Sequence, residues 1–188
     1  MVHYTANPGA TAMANRNYFE GLKDSHVTRS SSNFIVGLEG EIIQCVPTWE
    51  VAYASNDRNH DTVSIECCHP DESGKFTDAT YRSAVQLCAW LCLKFDLGPE
   101  DVIRHYDVTG KDCPRYFVQH EDAWEAFRAD VGKALERAGR SRRKAGEEEK
   151  HLAKFAEYCY NTQAAPGKPA AALFYEESKT GSGNRRRT

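Results

Sequence analysis

Thr62-Val63-Ser64-Ile65-Glu66-Cys67-Cys68, closed by His69-Pro70, leads after a short polar stretch into Thr77-Asp78-Ala79-Thr80-Tyr81-Arg82-Ser83-Ala84-Val85-Gln86-Leu87-Cys88-Ala89-Trp90-Leu91-Cys92-Leu93-Lys94-Phe95-Asp96. The first run is β-rich and ends on a turn signal, so it predicts a strand. The second predicts a helix, because Tyr81, Ala84, Val85, Cys88, Leu91, Cys92 and Phe95 recur at three- and four-residue spacing and form one apolar face. Thr77 is placed to cap that helix, and Asp78 suits the positive end of its dipole. Within the strand, Cys67 and Cys68 must face opposite sides of a sheet. Apolar Ile65 and Cys67 share one face by the same alternation and leave Glu66 on the other.

Outward from this pair, strands and helices stay interleaved. Met1 to Thr5 reads as the end of a strand, and Asn7-Pro8-Gly9 as a turn. Residues from about Thr11 to Lys23 are helix-compatible, with Thr11 available as N-cap. A hairpin follows, Asn33 to Leu38 and Glu41 to Val46 around Glu39-Gly40. Asp101-Val102-Ile103-Arg104-His105 reads as a short strand that stops at a loop. Glu121 to Leu135 reads as an amphipathic helix with Trp124, Phe127 and Val131 inward. The expected fold class is α/β, a mixed central β-sheet flanked by helices, with a C-terminal extension. The charged, small-residue composition around Gly132 to Gly146 places the domain boundary near Leu135. Residues 1–135 then form the domain, and residues 136–188 a charged linker or tail, partly helical or disordered; a helix is compatible with Glu147 to Tyr160.

The 188 residues fit one domain with such a tail, and a formal charge of −3 gives no global basic field, so nucleic acid is not an expected partner. The basic runs Arg140-Ser141-Arg142-Arg143-Lys144 and Arg185-Arg186-Arg187 read as solvated segments. No apolar stretch approaches the ~20 residues of a membrane span, so no membrane insertion is expected. The seven cysteines form no regular framework, which argues against a disulfide scaffold. Cys88 and Cys92 belong to the apolar helix face and serve packing. Cys113 alone sits among polar and turn residues, which invites a chemical role.

Candidate metal ligands fall in two segments, Val2-His3-Tyr4-Thr5 and Arg104-His105-Tyr106-Asp107-Val108-Thr109-Gly110-Lys111-Asp112-Cys113-Pro114. Two imidazoles and one thiolate give zinc three protein ligands and leave the fourth tetrahedral position open, the mark of a catalytic rather than a structural site. Histidine by itself is no signal here, since His26, His60, His69, His120 and His151 are also present. The wider pattern changes that.

Four blocks in order resemble the type 2 N-acetylmuramoyl-L-alanine amidase family, which includes phage lysozyme-amidases and animal peptidoglycan recognition proteins. They are Val2-His3-Tyr4-Thr5; Ser32-Asn33-Phe34-Ile35-Val36 with Gly40-Glu41-Ile42; Asn59 through Ser64-Ile65-Glu66; and His105 through Lys111-Asp112-Cys113-Pro114. Together they cover about residues 1–131, and the joint match is specific where no single block is. Gln44-Cys45-Val46-Pro47 adds a likeness to Gram-positive and phage enzymes. The resemblance implies a Zn2+ cofactor held by His3, His105 and Cys113, a catalytic Glu66, and Lys111 as the cation that steadies an oxyanion. It implies a peptidoglycan substrate, cut between N-acetylmuramic acid and L-alanine, and leaves phage endolysin, host autolysin and recycling enzyme open; a monomer is expected.

Two departures accompany it. Many relatives carry Tyr or His in the hairpin segment near the metal, where this chain has Ser32-Asn33. The chain also begins two residues before His3, so a truncated first strand and a loosened site are expected. Met1-Val2-His3-Tyr4 is followed by no apolar secretory region. Cytoplasmic accumulation with phage-type release, or an incomplete N-terminus, is the matching expectation. The alternative function is a non-catalytic peptidoglycan-binding module on the same fold; Lys111 and Cys113 together favour the enzyme. Lys111 and Cys113 are alternate residues and project alike if their segment is extended. Asn56, Arg58 and Arg115 are candidate peptide contacts, with solvated loop roles as the plainer reading.

Overall fold

The computed structural model describes residues 1–144. Four short strands form one mixed sheet: β1 (Val2–Tyr4), β2 (Phe34–Val36), β3 (Ile42–Gln44) and β4 (Ile65–Cys67), in the spatial order β1-β4-β2-β3. β4 runs parallel to both β1 and β2, and only the β2–β3 hairpin is antiparallel. Gly40, at φ +84°, closes that hairpin; a side chain there would also meet the carbonyl of Ala79 at 3.0 Å. The helices are α1 (Ala12–Ser25), α2 (Asp78–Phe95), α3 (Tyr106–Thr109), α4 (Arg115–Gln119) and α5 (Glu121–Lys144).

Register assigns the two faces of the sheet. The rows Val2–Ile65–Phe34 and Tyr4–Cys67–Val36 point into the main core, against Ala84, Leu87, Cys88 and Leu91 of α2 and Phe127 and Val131 of α5. The intervening row, His3–Glu66–Ile35, points the other way. On that face Ile35 and Cys68 pack with Ala12 and Phe19 of α1. Cys67 and Cys68 therefore enter separate cores, as strand alternation requires. Helix α1 shields the Ile35 end of the row and leaves the His3–Glu66 end for chemistry.

Helices α1 and α2 begin where their caps predict. Thr11 accepts a hydrogen bond from the Ala14 amide at 3.1 Å, and Thr77 from the Thr80 amide at 3.0 Å. Of the expected α2 face, Ala84, Val85, Cys88, Leu91 and Cys92 are buried, whereas Phe95, in the last turn, is exposed.

Three expectations are corrected. Asp101 to His105 is not a strand: Pro99–Asp101 form a 3-10 turn and Arg104 makes a single parallel bridge to Val2. Pro99 favours the turn, because its fixed φ suits the first helical position. Nor does the last helix stop at Leu135; α5 continues to Lys144. Gly132 sits inside it where an added Cβ would come within 3.2 Å of Pro99, so this glycine marks a close approach rather than an end. Finally, Lys111 to Cys113 is not extended, because the Cys113 amide turns back to the Lys111 carbonyl at 2.7 Å. The proposed helix from Glu147 to Tyr160 and the rest of the tail lie outside the described residues.

Candidate metal and hydrolysis site

β1 is three residues long and bonded on both flanks. On one side the Ile65 amide donates to the Met1 carbonyl at 3.0 Å and the Thr5 amide to the Cys67 carbonyl at 3.1 Å; on the other the Val2 amide donates to the Ile103 carbonyl at 2.8 Å. These bonds hold His3, which is only 2% exposed, between β4 and the segment that carries His105. Beyond the Arg104 bridge the chain turns through His105 into α3, then through Gly110 at φ +74°, and returns so that the Tyr106 amide donates to the Cys113 carbonyl at 3.0 Å. That closed loop brings Cys113 back beneath His3.

His3, His105 and Cys113 are all buried, and their ligand atoms lie within 4.8 Å of one another. The two imidazoles meet edge to face with centroids 4.9 Å apart, and Cys113 Sγ lies 3.7 Å from His3 Nδ1. Atoms at ~2.0 Å and ~2.3 Å from one tetrahedral ion stand about 3.5 Å apart, so this spacing fits a shared zinc. Burial holds the His3 pKa well below its ordinary value, and the amino terminus, His105 and Lys111 push the same way. Burial also lowers His105, helped by Lys111. Both rings are therefore neutral at physiological pH, the form that donates a lone pair to a metal. Burial pushes the Cys113 thiol up to about 12, so a cation must displace its proton to bind.

Glu66 lies beside His3 in the parallel register. Its Oε2 is buried without a hydrogen-bond partner, and burial raises its pKa to about 8 against the opposing pull of Lys111. Lys111 itself is exposed, yet its charge reaches His3, His105, Glu66 and Cys113. The five sequence-derived residues thus gather around one patch: four face inward and Lys111 lies at the solvent side.

Ser32 and Asn33 are fully buried and occupied by backbone. Ser32 Oγ donates to the Phe34 carbonyl at 2.8 Å, while Asn33 accepts from the Ser64 amide at 2.9 Å and donates to the Pro47 carbonyl at 3.2 Å. They clamp β2 to β4 and to the following loop. Arg58 pairs with Asp61 at 2.8 Å and lines a groove of about 520 Å³ with Met1, Cys88 and Leu91. Arg115 lies over the Tyr4 ring and donates to the Glu72 carbonyl at 2.8 Å.

Sequence reasoning missed the group that braces the loop. Arg104, with its side chain 7% exposed, pairs with Asp107 at 2.8 Å and Glu121 at 2.7 Å, donates to the Phe117 carbonyl at 2.9 Å, and stands between the rings of Tyr106 and Trp124. An arginine directly before a candidate ligand histidine and three residues from an aspartate was the available signal.

The N-acetylmuramoyl-L-alanine amidase family model matches residues 1–116. A Bacillus licheniformis protein described as a probable N-acetylmuramoyl-L-alanine amidase is 34% identical over 149 residues, covering 73% of this chain and 42% of the relative. N-acetylmuramoyl-L-alanine amidase CwlL of the same species is 32% identical over 147 residues, covering 72% of this chain and 41% of its own length. The chain thus spans about two-fifths of these curated relatives. The catalytic domain of XlyA, a Bacillus subtilis amidase, superimposes with a TM-score of 0.58 at 30% identity, over 70% of this chain and 83% of that one. The PlyG catalytic domain gives a TM-score of 0.61 at 26% identity, over 72% and 80%. With a family match over residues 1–116, more than half of the 188-residue chain, this protein belongs to the N-acetylmuramoyl-L-alanine amidase family.

Proposed function

We propose that the chain hydrolyses the amide bond between N-acetylmuramic acid and L-alanine in peptidoglycan, with Zn2+ held by His3, His105 and Cys113. The observation that carries this reading is the convergence of those three buried ligand atoms within 4.8 Å next to the unpartnered carboxylate oxygen of Glu66. Relatives named for the same activity support it. Zinc bound there supplies Lewis-acid polarisation of the scissile carbonyl and water made more acidic than in bulk.

The protein's own residues supply the rest. Burial raises the Glu66 pKa to about 8, and a dication held at the adjacent ligands would favour its carboxylate form, which is placed to accept a proton from the attacking water and to deliver it to the departing alanine nitrogen. The Lys111 ammonium, at the solvent side of the patch, steadies negative charge developing on the carbonyl oxygen. His3 and His105 remain neutral donors, and the buried wall of Ile35 and Cys68 keeps bulk water from one flank. Cleavage at the wall fits an endolysin or autolysin.

Mass spectrometry of digested peptidoglycan tests the reading. The expected products are stem peptides with free L-alanine amino groups and glycan strands that retain the lactyl group. Glycan fragments with new reducing ends and intact stem peptides would overturn it. Co-sedimentation with the wall and no products would favour the binding-module alternative.

A further inference from the structure

We propose that Thr5 belongs to the reaction site, its hydroxyl orienting, together with Glu66, the water that attacks the amide. This inference rests on the hydrolysis reading above. Strand alternation puts His3 and Thr5 on one face, while Val2 and Tyr4 enter the core on the other. The Thr5 amide continues the β1–β4 ladder by donating to the Cys67 carbonyl at 3.1 Å. Thr5 therefore stands one ladder step beyond the His3–Glu66 pair and diagonal to Glu66.

Among the described residues, four buried side-chain N or O atoms lack a hydrogen-bond partner: His3 Nε2, Thr5 Oγ1, Glu66 Oε2 and His69 Nε2. Three of the four belong to this one patch. The fourth lies beside Tyr4, 5.0 Å between ring centroids. On this face of the sheet the Asn15 Nδ2 donor is already engaged, with the Thr11 carbonyl at 3.0 Å and Cys68 Sγ at 3.6 Å. A buried hydroxyl without a partner destabilises the fold, and a valine of nearly the same shape removes that cost. Its presence beside an equally unpartnered carboxylate oxygen points to a polar guest shared by the two.

A water fits both acceptors. One of its hydrogens bonds Glu66 Oε2 and the other bonds Thr5 Oγ1, which leaves an oxygen lone pair free to aim at the carbonyl carbon. As the new C–O bond forms, the first hydrogen passes to Glu66 and then to the alanine nitrogen as the C–N bond breaks. Thr5 keeps its own hydrogen throughout. Its contribution is orientation, and losing such alignment costs on the order of 100-fold in rate.

The test compares wild type, Thr5→Val and Thr5→Ser on a soluble muramyl peptide, with zinc content and the melting temperature of the metal-free protein measured on the same samples. Expected for Thr5→Val are unchanged zinc content and KM, a kcat about 100-fold lower, and a metal-free melting temperature about 2–4 °C higher. Thr5→Ser, which keeps the hydroxyl, should retain most of kcat. A Thr5→Val kcat within about twofold of an active wild type overturns the inference alone; a lowered melting temperature with lost zinc also overturns it, by making Thr5 structural. An inactive wild type overturns the amidase reading and takes this inference with it.

Discussion

Replacing Arg104 with methionine removes a guanidinium while keeping an apolar stem between Tyr106 and Trp124. The structure allows the cost to be built bond by bond. Glu121 is 60% exposed, so its pair with Arg104 behaves as a surface bridge worth about 0–1 kcal/mol. Asp107 is 30% exposed and loses a two-pronged partner at 2.8 Å and 3.1 Å. The Phe117 carbonyl loses its charged donor at 2.9 Å. These last two losses cost about 1–3 kcal/mol each, less what water recovers. A total near 3 kcal/mol lowers the melting temperature of a domain this size by roughly 6–12 °C. Because Arg104 precedes His105 and its own amide donates to Asp107 at 2.8 Å, the loop that presents the ligand should also loosen. Loss of outer-shell support of this kind costs about 10–100-fold in metal affinity. Thermal melts and competition against a zinc-binding dye measure both effects. Arg104→Lys should fall between, since lysine keeps the charge but not the planar fork. An Arg104→Met protein with unchanged melting temperature and unchanged zinc affinity would refute the idea that this network positions His105.

Glu66→Gln should bind zinc as the wild type does yet lose about 100-fold or more in kcat; unchanged turnover removes Glu66 as the proton carrier. His105→Ala should lose the metal, and elemental analysis showing full zinc would remove it from the ligand set. The pH dependence of zinc affinity carries a definite sign. His3 and His105 have depressed pKa values and are already neutral above about pH 7, while the Cys113 thiol, raised to about 12, still holds its proton. Binding therefore releases the Cys113 proton, and below about pH 8 also draws one from Glu66, so affinity should rise about tenfold or more per pH unit between roughly pH 7 and pH 9; a flat profile would mean that Cys113 does not bind as thiolate. Thr77→Ala removes the cap on the Thr80 amide and the bond to the Leu38 carbonyl at 2.7 Å. A loss of about 1–2 kcal/mol is expected in denaturant melts.

Much of this fold is legible in local chemistry. α2 can be read from its cap and its apolar spacing, and the opposed burial of Cys67 and Cys68 from strand alternation alone. The boundary errors arise where tertiary contact overrides local preference. Gly132 looks like a stop but packs on Pro99, and Ile103 looks like strand but contributes one carbonyl to β1. The site is legible only through the family pattern. His3 and Cys113 are 110 residues apart, and no local periodicity joins them; the sheet register and the α3 loop do. The unpartnered Thr5 hydroxyl and the Arg104 brace depend on burial and partners, which only the fold defines.

The central claim, a zinc amidase, meets its most direct test in the release of alanine amino groups from purified peptidoglycan before chelation, after chelation, and after zinc is returned. The account predicts release that stops with the chelator, recovers with zinc, and produces no new reducing ends. Undiminished release in the chelator, from protein verified to be metal-free, would contradict it.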